Sequence, residues 1–208
     1  MHAISLWRYS PRDVHHPLPP DHVEAPTGPE WVHEIKHDGY RLIVRRDGQG
    51  VRLYTRRGFN WSGRFQLIVE AMRRLRVRSV TIDGEVVVCG EDGRPNFDLL
   101  HDRCHDRVAV LIGFDLLELD GDDWRPRPLE QRKAKLAKLV SRAASGIHFN
   151  EHINGDGAVI FDHACRLGLE GIVSKRRDLP YRSGRSKCWV KIKNPASPAM
   201  ARIEDGTW

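Results

Sequence analysis

The sequence predicts an α+β fold in which antiparallel sheets are flanked by helices. Hairpin-like pairs of strands outnumber strand–helix–strand units, and three amphipathic segments have helical spacing. The 208 residues are 40% hydrophobic and 30% charged, which is typical of a globular protein with one sizeable core. We therefore expect one principal domain over residues 31–195, an extended lead-in over residues 1–30 and a short tail over residues 196–208.

The first part of the chain contains a strand, a hairpin and a helix. Residues 1–30 are rich in proline and histidine and favour an extended segment. WVHEIK (31–36) is strand-like, and YRLIVRR and VRLYTRR flank the turn residues DGQG as in a β-hairpin. RFQLIVEAMRRLRV has apolar residues at positions 65, 68, 69, 72 and 75, which is the spacing of a helix.

The rest of the chain adds two helices and further strands. PLEQRKAKLAKLVSRA and DGAVIFDHACRLG fit helices, and we expect the second to end at Gly168. The predicted strands are a second hairpin in SVTIDGEVVVCGEDGRPNF, a buried strand in VAVLIGFDLLEL, and returning strands in LEGIVSKR and CWVKIK. Strands that follow one another through short turns favour antiparallel pairing.

The charge distribution favours a polyanionic partner. The net charge is +6 and the sequence pI is about 9.3. Basic residues are concentrated at 73–78 (RRLRVR), 175–178 (KRRD) and 181–193 (YRSGRSKCWVKIK). Such clusters attract nucleic acid through its phosphates. For residues 73–78 the alternative is that the arginines form only the polar end of an amphipathic helix.

The sequence also indicates a compartment. No apolar run approaches the roughly 18 to 20 residues that a membrane helix needs, so we expect no membrane partner. The N-terminus MHAISLWRYSPRD does not resemble a signal peptide. The four cysteines are scattered without a Cys-x-x-Cys pair, which favours free thiols in a reducing cytoplasm.

Functional residue types recur at the ends of separate predicted strands. The chain has no G-x-x-x-x-G-K-[ST] loop, and GQG at 48–50 lacks the third glycine of a dinucleotide-binding motif. The strand-end residues are Lys36, Asp38 and Arg41 in KHDGYR, Arg56 in LYTRRG, Glu85 in TIDGEVVV, Phe114 in GFDLLELDG, Glu170 in LEGIVSKR, and Lys191 and Lys193 in WVKIK. Taken singly, each has a structural alternative: an edge-strand lysine, a salt bridge at a strand end, or core packing for Phe114.

Together and in this order, the motifs resemble those of the covalent nucleotidyltransferases, which include ATP-dependent DNA ligases and capping-type enzymes. The motifs of that family are K-x-D-G-x-R, D-G-E, F-D, E-G-[IV]-x-x-K and K-x-K. The resemblance spans roughly residues 30–195 and is greatest to the ligase domains of bacterial end-joining proteins, because LEGIVSKR and YRSGRSKCWVKIK extend it. It implies the covalent nucleotidyltransferase fold, which is ATP-grasp-like, with the nucleotide cleft between antiparallel sheets.

The resemblance implies that the amine of Lys36 attacks the α-phosphate of ATP, forms lysyl-AMP and releases pyrophosphate. A lysine attacks only when neutral, and its ordinary pKa is about 10.4. Nearby cations lower that pKa, and Arg41, Lys191 and Lys193 are the candidates. The implied cofactors are ATP and Mg²⁺. The implied nucleotide-binding residues are Glu34, Arg41, Arg56, Glu85, Phe114, Lys191 and Lys193, and the implied metal ligands are Asp38, Glu85 and Glu170.

The implied activity is DNA ligation in repair, which seals a 3′-hydroxyl to a 5′-phosphate through the lysyl-AMP intermediate. The implied partners are DNA with nicks or broken ends and end-joining repair proteins. Only 15 residues follow Lys193, so we expect no oligonucleotide-binding barrel there. Two alternatives remain at this point: a non-catalytic module that binds nucleotide or DNA ends, and an RNA ligase or guanylyltransferase-like relative.

Overall fold

The structure is a computed structural model that describes residues 24–141, 145–184 and 186–204. Its strands form two sheets. The four-stranded sheet has the order β10-β9-β1-β8 and is antiparallel throughout. Its strands are β1 (Trp31–Ile35), β8 (His152–Ile153), β9 (Gly171–Arg176) and β10 (Trp189–Lys193). The predicted strands WVHEIK, LEGIVSKR and CWVKIK therefore lie side by side.

The six-stranded sheet has the order β3-β2-β4-β5-β6, and β7 pairs with β5 outside that path. Its strands are β2 (Tyr40–Asp47), β3 (Gly50–Thr55), β4 (Val80–Val87), β5 (Val110–Leu119), β6 (Asp122–Asp123) and β7 (Ile147–Phe149). The first predicted hairpin is confirmed as β2 and β3, joined at the Asp47–Gly50 turn. All pairings are antiparallel except that of β5 with β7.

The helices are α1 (Gln66–Arg74), α2 (Phe97–His101), α3 (Leu129–Val140), α4 (Gly157–Arg166) and α5 (Pro198–Glu204). The three predicted helices are confirmed as α1, α3 and α4. Gly168, which follows α4, has a φ of +68°, a left-handed conformation that glycine adopts readily and that ends helices. The structure places α5 inside the segment that the sequence predicted as a tail.

The predicted second hairpin is present only as a short turn. Strand β4 pairs along its length with β2 and β5, and the chain then turns back through an isolated bridge between Cys89 and Pro95. The turn is closed by backbone hydrogen bonds from Asn96 to Val88 (2.8 Å) and from Gly90 to Arg94 (2.9 Å). The side chain of Asn96 then accepts hydrogen bonds from the backbone N–H groups of Asp98 (3.0 Å) and Leu99 (3.2 Å). This N-cap starts α2 where the sequence suggested a returning strand.

Each sheet has its own apolar core. The larger core packs the six-stranded sheet against α1 and α3, and the smaller one packs α4 against the four-stranded sheet. A buried ion pair joins α3 to β5, since Arg132 donates to both oxygens of Asp115 at 2.6 and 2.9 Å. The two sheets therefore form separate layers, each with its own core. Side chains from both sheets reach the cleft described below.

Two motif glycines are required by close backbone approaches. A Cβ at Gly39, in KHDGYR, would lie 2.1 Å from the carbonyl oxygen of Val86. A Cβ at Gly171, in LEGIVSKR, would lie 2.1 Å from the carbonyl oxygen of Ile192, and its φ is +137°. These contacts bring Lys36 and Glu170 against their neighbouring strands. No helix within the described ranges is long and apolar enough to cross a membrane.

Candidate active site

A cleft is lined by residues of both sheets. The predicted site residues that line this cleft are Glu34, Lys36, Arg41, Glu85, Phe114 and Lys191. The cleft is also lined by Asn150, Lys175 and Trp189, which the sequence analysis did not assign to the site. The motif residues are thus brought together from five strands or strand ends.

Lys36 directly follows β1, and its backbone N–H donates to the carbonyl oxygen of Gly171 at 3.0 Å. Its Nζ donates to Oε1 of Glu170, and both side chains are largely buried. Burial raises the pKa of Glu170 above its ordinary value, although the charge of Lys36 opposes the shift. The second oxygen of Glu170, Oε2, is buried without a hydrogen-bond partner in the part of the chain that the structure describes.

Glu85 lies on β4 and faces the same ion pair. Burial raises the pKa of Glu85 to about 8, with Glu170 adding to the shift and Lys36 opposing it. Two carboxyl groups thus face Lys36, and burial raises the pKa of both although the cations nearby oppose the shift. Such strongly shifted groups in a cleft are typical of functional sites.

Lys191 and Lys193 lie on the same face of β10, because the buried Ile192 between them points into the core. Lys191 lines the cleft, whereas Lys193 does not. Burial lowers the pKa of Lys191, and the charges of Lys36 and Arg41 lower it further. Of the two lysines predicted to bind phosphate, Lys191 therefore faces the cleft directly and Lys193 does not.

Arg41 is held by a buried carboxylate. Its Nε donates to Oδ1 of Asp83 at 3.0 Å and its Nη2 to Oδ2 at 2.6 Å, a bidentate pair between β2 and β4. Burial opposes the charge of Arg41, but the hydrogen bonds and charge of Asp83 raise its pKa above the ordinary range. The guanidinium lies 5.6 Å from the ring centres of both Phe114 and Trp189.

Phe114 is buried but belongs to the wall of the cleft. Its ring packs edge-on against Trp189, with 5.8 Å between ring centres. The Nζ of Lys175 lies 4.4 Å from the ring centre of Phe114 and 4.1 Å from that of Trp189. Aromatic surface and cations thus meet at one end of the cleft, an arrangement suited to a nucleotide base.

Glu34 is the centre of a buried cluster. Its two oxygens accept from Nζ of Lys133 (2.7 Å), Nζ of Lys175 (2.7 Å) and Nδ2 of Asn150 (3.0 Å). Burial would raise the pKa of Glu34, but the charges of the two lysines lower it below its ordinary value. Because the carboxylate is so fully occupied, it supports the cleft wall more than it offers a free acceptor.

Asp38 lies near Glu170 but not near Glu85 in the cleft. Asp38 and Glu170 both line a second cavity, which shares Lys36 with the cleft, and the charge of Asp38 contributes to the raised pKa of Glu170. Asp38 forms an ion pair with Arg202 of α5, whose guanidinium also lies 4.7 Å from the ring centre of Phe97. No group of three or more metal-binding side chains is preformed within residues 24–141, 145–184 and 186–204.

Arg56, like Lys193, is a predicted site residue that the structure brings to neither cavity. It is exposed in the turn after β3 and lines neither cavity. The structure exposes only part of the basic surface that the sequence predicted over residues 175–178 and 181–193. Lys175 is buried against Glu34, and Arg176 pairs with Asp178 at 2.9 Å, so the exposed basic residues that the structure describes in this region are Arg182, Lys187 and Lys191.

Sequence signals existed for some of the missed residues. Arg132 and Lys133 occupy the apolar face of α3 with Leu129, Leu136 and Val140, and two charges on an apolar stripe indicate buried partners. Lys175 is the last residue of the E-G-[IV]-x-x-K motif. Asp83 is the first residue of the D-G-E motif, and Tyr181 begins the segment YRSGRSKCWVKIK, although neither was assigned to the site. Asn150 gave no comparable local signal.

Comparison with known proteins agrees with this geometry. Residues 19–193 match the family described as the ATP dependent DNA ligase domain, which covers most of the chain. The chain belongs to this family. An ATP-dependent DNA ligase domain has the covalent nucleotidyltransferase fold that the motifs predicted, so the α+β prediction with a cleft between sheets is confirmed.

Two curated relatives are the multifunctional non-homologous end joining proteins LigD. That of Pseudomonas aeruginosa is 38% identical over 175 residues, which are 82% of this chain and 21% of the relative. That of Mycobacterium tuberculosis is 35% identical over 167 residues, which are 79% of this chain and 22% of the relative. This chain thus matches about a fifth of the length of each of these relatives.

A solved structure, described as mycobacterial DNA ligase D complexed with ATP and MES, is also similar. Its TM-score is 0.69 at 34% identity, and the match covers 78% of this chain and 54% of that chain. The ligase domain of Mycobacterium tuberculosis LigD gives the same TM-score of 0.69. The similarity therefore includes both the fold and the sequence.

Proposed function

We propose that this ligase domain catalyses ATP-dependent DNA ligation through a lysyl-AMP intermediate on Lys36. The observation that carries the proposal is the cleft itself. It places a largely buried lysine against Glu170 and Glu85, beside Arg41 and Lys191 and at one end of an aromatic wall. This combination supplies a nucleophile, phosphate-binding cations and a surface for a base, as nucleotidyl transfer needs.

Each residue has a distinct role in this mechanism. Glu170 orients the Lys36 amine through its hydrogen bond, while Arg41 and Lys191 balance charge on the α-phosphate. Phe114 stacks on the adenine, and Trp189 and Lys175 hold its ring in place. A solved relative described as complexed with ATP supports ATP as the nucleotide.

The site fits a magnesium ion. Glu170 has one buried oxygen without a partner among the described residues, and burial raises the pKa of both Glu85 and Glu170. Mg²⁺ prefers such oxygen ligands and usually keeps several waters. Glu85 and Glu170 would hold it, with Asp38 joining only if Arg202 is displaced. The ion would supply positive charge to the phosphates.

We further propose DNA with nicks or broken ends as the substrate, with phosphate contacts from exposed arginines at 73–78 and from Arg182 and Lys187. Relatives named as end-joining proteins support a place in end joining, with other repair proteins as partners. All four cysteines are free, which supports the cytoplasm as the compartment.

The test is sealing of a duplex that carries one labelled 5′-phosphate nick, with ATP and Mg²⁺, in DNA and RNA versions. We expect the DNA version to be sealed and Lys36→Ala to be inactive on it. On a nick that already carries a 5′-adenylate, Lys36→Ala should retain more activity, because the nucleophile is no longer needed. Binding of nicked DNA without lysyl-AMP formation or sealing would instead support a non-catalytic module, and preferential sealing of RNA would assign an RNA ligase.

A further inference from the structure

The connection between β9 and β10 is held against the start of α3. The backbone N–H groups of Leu129 and Glu130 donate to the carbonyl oxygens of Leu179 (3.1 Å) and Arg177 (3.0 Å). The N–H of Tyr181 donates to the carbonyl oxygen of Arg125 at 2.8 Å. The backbone at Tyr181 is therefore fixed by contacts that do not involve its hydroxyl.

The hydroxyl of Tyr181 contacts the Arg41–Asp83 pair. It donates to Oδ2 of Asp83 at 2.9 Å and receives a hydrogen bond from Nη2 of Arg41 at 3.3 Å. Burial raises the pKa of Tyr181, and the charge of Asp83 raises it further. The hydroxyl thus stays protonated and donates to a carboxylate that is fully buried.

Arg41 itself is the part of this group that reaches the cleft. Its side chain is 36% exposed, whereas that of Asp83 is 0% exposed. The ring of Tyr181 packs edge-on against Trp189 with 5.9 Å between centres, so the same tyrosine also touches the aromatic wall. A cation that acts on a phosphate must be held within about 0.5 Å of its productive position by its supporting contacts.

We propose that Tyr181 is a positioning residue for nucleotidyl transfer, whose hydroxyl fixes the Arg41–Asp83 pair so that Arg41 faces the phosphate. The inference rests on the proposed function and adds a residue that lies outside the quoted family motifs K-x-D-G-x-R, D-G-E, F-D, E-G-[IV]-x-x-K and K-x-K. It differs from a purely structural role, in which the hydroxyl would only satisfy buried Asp83 and its loss would lower stability alone.

Tyr181→Phe removes the hydroxyl and keeps the ring. Its matched control is Tyr54→Phe, because Tyr54 lies on β3 and lines neither cavity. We expect Tyr181→Phe to lower the single-turnover rate of lysyl-AMP formation about tenfold at saturating ATP, the usual scale for one hydrogen bond to a charged group. The ATP concentration at half-saturation should change less than about twofold, and the control should match the wild type in rate.

A double-mutant cycle separates positioning from stability. In an Arg41→Lys background, which keeps the charge but loses the bidentate geometry, adding Tyr181→Phe should change the rate less than about twofold. A full tenfold fall in that background, or a wild-type rate for Tyr181→Phe alone, would overturn the inference. A fall in melting temperature with an unchanged rate would assign the hydroxyl to structure only. If the wild type forms no lysyl-AMP and seals no nick, the proposed function fails first and the inference falls with it.

Discussion

Glu34 and Lys36 lie two residues apart at the end of β1, yet their surroundings differ in how far each charge is satisfied. Glu34 receives hydrogen bonds from Lys133, Lys175 and Asn150, and all four groups are buried. Around Lys36, both Glu85 and Glu170 face the amine. One oxygen of Glu170 is buried without a hydrogen-bond partner among the described residues.

This difference separates the scaffold of the cleft from its chemistry. A buried charge whose partners are complete gains little from a ligand, because its hydrogen-bonding capacity is already used. A cluster with a buried, unpartnered carboxyl oxygen is unfavourable by itself and gains when a cation such as Mg²⁺ binds. Variants of the first cluster should therefore change stability, and variants of the second should change activity.

The largest expected effect comes from the satisfied cluster. Glu34→Ala leaves Lys133 and Lys175 buried without their carboxylate, so we expect about 3 to 5 kcal/mol less free energy of unfolding, measured with urea. Glu70→Ala is the matched control, since Glu70 is exposed on α1 and should change stability by less than about 0.5 kcal/mol. Equal stability of the two variants would contradict the structural role of Glu34.

Glu170→Gln tests the unsatisfied cluster. The change keeps the shape of the side chain but removes the charge that orients Lys36 and would help to hold Mg²⁺. We expect lysyl-AMP formation to fall by about 10²-fold, while the unfolding free energy stays within about 1 kcal/mol of the wild type. A large loss of stability with normal adenylation would contradict the account, because it would show that the cluster around Lys36 supports the fold and not the reaction.

A smaller effect should separate lysines that line the cleft from basic residues that do not. Lys191→Ala removes a cation from the cleft and should lower the adenylation rate about tenfold. Arg56→Ala is the comparison, because Arg56 is exposed outside the cleft and should stay within about twofold of the wild type. If Arg56→Ala loses as much activity as Lys191→Ala, then the nucleotide extends to the turn after β3.

The smallest effect is on stability as a function of pH. Because burial raises the pKa of Glu85 to about 8, the folded state holds its proton more tightly than the unfolded state does. This contribution is complete below about pH 4.5 and is lost as the pH rises through about 8. Between pH 6 and 9 the wild type should lose about 3 °C more in melting temperature than Glu85→Gln, as measured by scanning calorimetry. Parallel curves for the two proteins would show that Glu85 is not perturbed.

Local patterns in the sequence predicted the local parts of this fold well. The hairpin of β2 and β3 and the helices α1, α3 and α4 follow from periodicity and turn residues, and the ordered motifs located Lys36, Glu85 and Glu170. The second hairpin has its turn but no returning strand, because the chain enters α2 after Asn96 and β4 finds its long partner in β5. Short apolar runs do not specify which strand they will pair with.

The missed site residues depend on contacts between distant parts of the chain. Lys133 and Lys175 reach Glu34 across 99 and 141 residues, and Tyr181 reaches Asp83 across 98 residues. Nothing in the local sequence around Tyr181 distinguishes an exposed loop tyrosine from one that completes a buried group. Such partners are chosen by the packing of the two sheets and become visible only in three dimensions.

The most direct test of the account is to identify which lysine accepts AMP. The chain is incubated with labelled ATP and Mg²⁺, its intact mass is measured, and the labelled peptide is sequenced in the wild type and in Lys36→Ala. We predict one AMP per chain on Lys36 and no adduct in the variant, because Lys133 and Lys175 are fully paired with Glu34. An adduct on Lys175 or Lys191, or undiminished labelling of Lys36→Ala, would contradict the assignment of chemistry to the unsatisfied cluster.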